Sequence, residues 1–172
     1  MEKLVMKTVT RAAVAAGLPA ERVMTESAKD NLTLPRPRLE VQMQPATYKR
    51  TGRKLGVTRT KTQHTTKREL YEVSQQVLLN VLAEDENWLS KFGFEFVVAL
   101  PKGVNDARGN WVGIRVQKAT PGKPPVKRVG DAEIVVFTRL NTLFLLTFTG
   151  RVTEEITHDL ITKVNINPQW GK

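Results

Sequence analysis

A chain of 172 residues, 40 % of them hydrophobic, is long enough to bury one core, and neither an internal repeat nor a separate second domain is visible in it. It has no cysteine, which excludes a disulfide scaffold and every thiolate metal site and fits a reducing compartment. Lys and Arg number 27 against 17 Asp and Glu, a formal charge of +10 that points to acidic partners, nucleic acid or protein, and says nothing of fold.

No apolar run approaches the roughly 18 residues that span a bilayer, so no membrane partner is expected. The opening segment, MEKLVMKTVTRAAVAAGLPA, contains small residues like those of a cleavage site. Its apolar stretch is broken by Lys7, Thr8, Thr10 and Arg11, so it does not read as a signal peptide. Leu4, Val5, Val9, Ala12, Ala13 and Ala16 instead form a helical stripe from Lys3 to Ala16. Gly17 suits a left-handed cap, with Leu18 folding back and Pro19 stopping the helix. A short strand is expected over Val23–Thr25. Ser27 to Thr33 is polar and turn-like. Leu39, Val41 and Met43 alternate with Glu40, Gln42 and Gln44, which predicts a strand over 38–44, ended by Pro45.

Ala46 to Lys67 is strongly basic. No acidic residue lies between Glu40 and Glu69, while Lys49, Arg50, Arg53, Lys54, Arg59, Lys61 and Lys67 do. Threonines alternate with cations in VTRTKTQHTTK, a strand spacing without an apolar face. The expectation is a two-stranded arm over 46–67, turning near Gly52 or Gly56, and projecting from the sheet or pairing along its edge. Three readings of it stand: a solvated charged hairpin, phosphate contact, or pairing with an acidic protein surface across an oligomer seam. With Tyr48 as its one stacking ring, the arm lacks the aromatic platforms of single-strand binding.

From Tyr71 to Ala83 the odd positions are mostly apolar and the even ones mostly polar, as in a half-buried strand. Leu70, Ser74, Val77, Leu78 and Val81 also fit a helix, with Thr66 and Glu69 as a capping box, so the pattern leaves both open. The β-branched Val73, Val77 and Val81 favour the strand. Asp85 is placed to cap a helix whose face carries Trp88, Leu89, Phe92, Phe96 and Leu100, ended by Pro101. This is the main core helix. Asn105 to Asn110 is turn chemistry, and Trp111–Lys118 alternates as a strand. Residues 119–130, with Pro121, Gly122, Pro124 and Pro125, read as a mobile loop. Strands follow over Ala132–Thr138 and Thr142–Val152, the second apolar on both faces through Leu143, Phe144, Leu145, Leu146 and Phe148, as in a covered central strand. Glu154–Leu160 is expected to be a short helix. Ile161, Val164 and Ile166 look like a closing segment, and Pro168 to Lys172 like a tail.

Enzyme signatures are absent: no phosphate-binding GxxxxGK[ST], no GxGxxG, no GxSxG and no HExxH. His64 and His158 are far apart in the chain and read as surface or partly packed residues. Glu84, Asp85 and Glu86 read as helix-start chemistry rather than a general-base pair, and Asp106 as a turn residue. No catalytic residue, metal or cofactor is expected.

Five phrases resemble the tail terminator (tail completion) proteins of long-tailed bacteriophages: LPRPRLEVQMQP, YKRTGRKLG, RELYEVSQQVLLNVLAEDENWL, ALPKGVNDARGNWV and LFLLTFTGRV. They run in family order from Leu34 to Val152. The resemblance implies a single-domain α/β (α+β) fold, a mixed, mostly antiparallel sheet with an N-terminal helix and a second helix packed on one face. It implies a structural protein of the virion neck, made in the host cytoplasm, of which six copies form a ring. That ring would sit on the tail tube protein, end tube polymerisation and dock the head–tail connector, with a sheath protein as a further neighbour. DNA would pass through the lumen without specific binding. Arg36, Arg38, Lys49, Arg50, Arg53, Lys54, Arg59, Lys61 and Lys67 are the candidate interface residues. Trp88, Leu89, Phe92, Phe96, Leu100, Phe144, Leu146 and Phe148 are the candidate core. The competing function is a nucleic-acid-binding module acting through the basic arm.

Overall fold

The computed structural model describes residues 1–25, 35–122, 126–129, 132–135 and 140–160. They form two compact units, Met1–Thr47 with Val73–Gly150, and Tyr48–Glu72 with the residues from Arg151. Two long strands contribute to both.

In the first unit α1 spans Glu2–Ala15. Its end is built locally: Gly17 sits at φ 91°, Leu18 N donates to Ala13 O at 2.9 Å, and Gly17 N donates to Val14 O at 3.0 Å. That is the Schellman pattern, and Leu18 folds back to become fully buried. A 3-10 turn at Ala20–Arg22 leads into β1 (Val23–Thr25), which pairs in parallel with β2 (Arg38–Met43). β2 runs antiparallel to β4 (Gln63–Ala83), with Leu39 opposite Val81 and Val41 opposite Leu79. The ambiguous stretch from Leu70 is therefore strand, and Thr66 and Glu69 are buried strand residues, not a capping box. β3 (Thr47–Arg59) also pairs with β4.

The helix α2 spans Glu86–Ala99, and the Asp85 carboxylate accepts from Asn87 N at 2.9 Å. β5 (Gly103–Asn105), a strand that the sequence pattern did not suggest, pairs with β6 (Trp111–Pro121), and β6 pairs with β9 (Leu140–Asp159). β7 (Val126–Val129) and β8 (Ala132–Val135) make a separate two-stranded sheet. Among the described residues the main sheet has seven strands in the order β1-β2-β4-β9-β6-β5, with β3 off that path. The fold is α+β with a mixed, mostly antiparallel sheet, as expected.

Side chains pointing to one face of the sheet join both helices in one core: Val5 and Val9 from α1, Phe92 and Phe96 from α2, and Leu39, Leu79, Leu146 and Phe148 from the strands. Phe96 stacks on Phe92 and tilts against Phe144 at 5.6 Å. Of the eight expected core residues, six are buried. Trp88 and Leu100 are half-buried at the margin, Trp88 stacked on Phe92 at 4.9 Å.

Four expectations need correction. The arm does not turn at either glycine; β3 passes straight through Gly52 (φ 60°) and Gly56, and the chain reverses at Thr60–Gln63. Gly52 there supplies a backbone conformation within the strand, not a corner. Glu154–Leu160 is not a helix: β9 continues to Asp159, because β4 offers it a cross-strand partner that local propensity cannot see. The supposed loop at 119–130 is strand at 119–121 and 126–129, with 123–125 and 130 outside the described residues. Within β9 the two faces differ, Phe144, Leu146 and Phe148 being buried while Leu143 and Leu145 are half-buried. The predicted strand end at 136–138, the turn at 27–33 and the closing segment and tail from 161 lie outside the described residues.

Candidate functional site

Among the described residues the second unit is a three-stranded antiparallel ribbon made of β3, the first half of β4 and the end of β9. Cross-strand contacts step regularly along it. Gln63 Nε2 donates to Asp159 Oδ1 at 3.2 Å, the Thr65 and Thr157 hydroxyls meet at 3.0 Å, and Lys67 Nζ lies 3.3 Å from Glu155 Oε1. Thr51 Oγ1 donates to Glu69 O at 3.2 Å on the β3 side, and Leu160 N donates to Thr62 O at 2.7 Å near the turn. Thr60 N closes that turn on Gln63 O at 2.9 Å. Tyr48 meets Tyr71 edge-on at 6.4 Å.

Seven of the nine expected interface residues gather on this ribbon. Lys49, Arg50, Arg53, Lys54 and Arg59 lie along β3 and Lys61 in the turn, all exposed. Lys67 lies on β4, half-buried against Glu155. β3 is exposed at every position except Leu55, which is half-buried. The two remaining residues belong to the first unit. Arg36 is half-buried in the bend before β2. Arg38 is 1 % exposed, and its Nε donates to Glu40 Oε1 at 2.8 Å. Asn80 and Asn141 continue that polar ladder across the face away from the helices. Arg38 is therefore a buried cation partnered within the chain, unlike the exposed cations of β3.

Sequence reasoning missed the acidic side of the ribbon. Glu154, Glu155 and Asp159 share the end of β9, and the helical look of TEEITHD hid them. Glu69, 4 % exposed, lies 3.2 Å from Arg151 Nε, an ion pair not aligned as a hydrogen bond. The register also places His64 opposite His158, although 93 residues lie between them in sequence. Two imidazoles are half of the donor set of a structural zinc site. No group of three or more His, Asp or Glu that could hold a metal occurs among the described residues.

Elsewhere an open cleft of about 440 Å³ lies between α1 and the segment after α2, lined by Leu4, Lys7, Thr8, Arg11, Pro101 and Val104. Lys7 and Arg11 are exposed, and the Thr8 hydroxyl is spent on Leu4 O at 2.8 Å, so nothing polar converges there. Asp106 is a turn staple. Desolvation works to raise its pKa, but hydrogen bonds from Asn110 and Arg108 outweigh it and hold the carboxyl below the usual aspartate range.

The chain matches no protein-family model and no curated protein.

Proposed function

We propose that this protein is a non-enzymatic structural component of a phage tail or tail-like particle, a ring subunit that caps the tail tube and presents a docking surface to the head connector. The observation that carries this reading is the ribbon, a long, exposed, basic strand edge. Such a surface suits work by shape and contact, and a ring needs each subunit to offer one face to a different face of the next. The resemblance of the five phrases in the tail terminator family supplies the particular role. Sedimentation at several concentrations, with and without tail tube protein, together with electron micrographs of the product, tests it. An annulus is the expected result; a strict monomer that never joins the tube would overturn the reading.

The run of five exposed cations on β3 favours a second reading, nucleic-acid binding through phosphate contacts. Its mark is an affinity for duplex DNA that falls steeply as salt rises. Undetectable or salt-insensitive binding removes it.

A further inference from the structure

We infer that His64 and His158 form a cross-strand binding site for a divalent first-row transition ion of the zinc type, which clips the end of β9 to β4. The inference goes beyond the ring reading and does not depend on it.

The ladder on either side fixes the pair. Leu160 N donates to Thr62 O at 2.7 Å, Gln63 Nε2 donates to Asp159 Oδ1 at 3.2 Å, the Thr65 and Thr157 hydroxyls meet at 3.0 Å, and Lys67 reaches Glu155. Each step forward along β4 is matched by one step back along β9, so His64 stands directly opposite His158. Residues directly opposite share a face, and neighbours along a strand alternate. The two imidazoles therefore lie together on the face away from the Thr65–Thr157 contact. The Leu160–Thr62 bond also sets the type of rung. Backbone-bonded rungs recur at every second residue, so His64 and His158 are such a rung, with Cα atoms about 5.5 Å apart. They are the only two histidines of the chain.

The chemistry of the pair selects the ligand. Imidazole nitrogen suits zinc, copper and nickel, whereas magnesium and calcium require oxygen ligands. Zinc–nitrogen bonds of about 2.0–2.1 Å put two ligating nitrogens roughly 3.3 Å apart in a tetrahedral shell. Two imidazoles reach that separation from one rung by rotation about their side-chain bonds. His158 is exposed and His64 half-buried, so water has access to complete the shell. Among the described residues no group of three or more ligating side chains exists, which makes this a two-ligand, reversible site rather than a closed structural one. Arg59 and Lys61, beside the same turn, are exposed and donate only, so they supply no ligand. Each strand gives one ligand, and an ion held by both favours the paired ribbon over a frayed one. A solvated histidine can stand anywhere on a ribbon; chelation needs both on one rung and one face, where these two are.

The test uses the full chain without a histidine tag, titrated with Zn²⁺ alone in calorimetry. One ion per chain is expected. His64→Ala and His158→Ala should each weaken binding at least ~10-fold, since even the loss of a ligand's outer partner typically costs 10–100-fold. Circular dichroism checks that both variants fold, and His64→Gln replaces His64→Ala if that one does not. Zn²⁺ should also slow hydrogen exchange at the Leu160 amide, which donates to Thr62, in wild type but in neither variant. No binding by wild type, binding that survives either replacement, or binding that leaves Leu160 exchange unchanged would overturn the site.

Discussion

Phe96 and Phe94 lie two positions apart on α2, yet the structure gives them opposite fates: Phe96 is 0 % exposed and Phe94 73 %. Phe96→Ala removes a ring stacked on Phe92 at 5.7 Å and tilted against Phe144 at 5.6 Å. A buried Phe hides roughly 200 Å², which at about 25 cal/mol per Å² sets an upper bound near 5 kcal/mol. The alanine methyl keeps part of that, while two ring pairs worth about 0.5–1.5 kcal/mol each are lost. The balance is a destabilisation of about 4 kcal/mol, within the range known for Phe→Ala in cores. For a chain of this size that lowers Tm by roughly 8–16 °C. Phe94→Ala removes solvated surface and changes stability by less than about 0.5 kcal/mol. Urea unfolding of both variants, followed by tryptophan fluorescence, separates them, because Trp88 stacks on Phe92 in the same cluster. A loss below about 1.5 kcal/mol for Phe96→Ala, or equal losses for the two, would refute the assignment of the α2 core face.

Three further changes probe local devices, and one the ribbon register. Gly17→Ala forces a Cβ into the left-handed region at φ 91° and costs about 1 kcal/mol, read as a lower urea midpoint at unchanged slope. Asp85→Ala removes the cap on Asn87 N and costs about 1 kcal/mol, while Asp85→Asn retains most of it. Asp106→Ala costs about 1–2 kcal/mol at neutral pH, because the turn loses its acceptor. Its carboxyl is held below the ordinary aspartate pKa, so the wild-type advantage is full above about pH 4 and fades as pH falls through the folded-state value. A gap between wild type and variant that widens in acid would contradict this. Finally, Thr65→Cys with Thr157→Cys forms a disulfide under mild oxidation, since the hydroxyls already meet at 3.0 Å. Failure to cross-link, shown by free-thiol titration, would mean that the ribbon register is wrong.

Much of the first unit was legible because its signals are local. α1, with its glycine cap, and α2, with its aspartate cap, announce themselves within a few residues: each terminus satisfies its own backbone groups nearby. The β2 alternation was equally plain. The ribbon was harder. Its basic residues marked it as a feature, but its turn, its third strand and its acidic edge did not show. Glycine at Gly52 and Gly56 suggested a corner where the chain in fact runs on, and TEEITHD suggested a helix where β4 supplies a strand partner.

What the sequence determined by itself was therefore the helices, their caps, the period-two stretches and the basic character of residues 46–67, all of which depend on neighbours a few positions away. Only the tertiary structure decided that Arg38 is a buried ion-pair residue while Arg53 stays in water, and that the end of β9 lies along β4, where Glu155 meets Lys67. The reason is physical: burial, register and charge pairing are set by segments that meet about ninety residues apart in sequence, such as Thr65 and Thr157, and no local pattern encodes which strand will lie alongside.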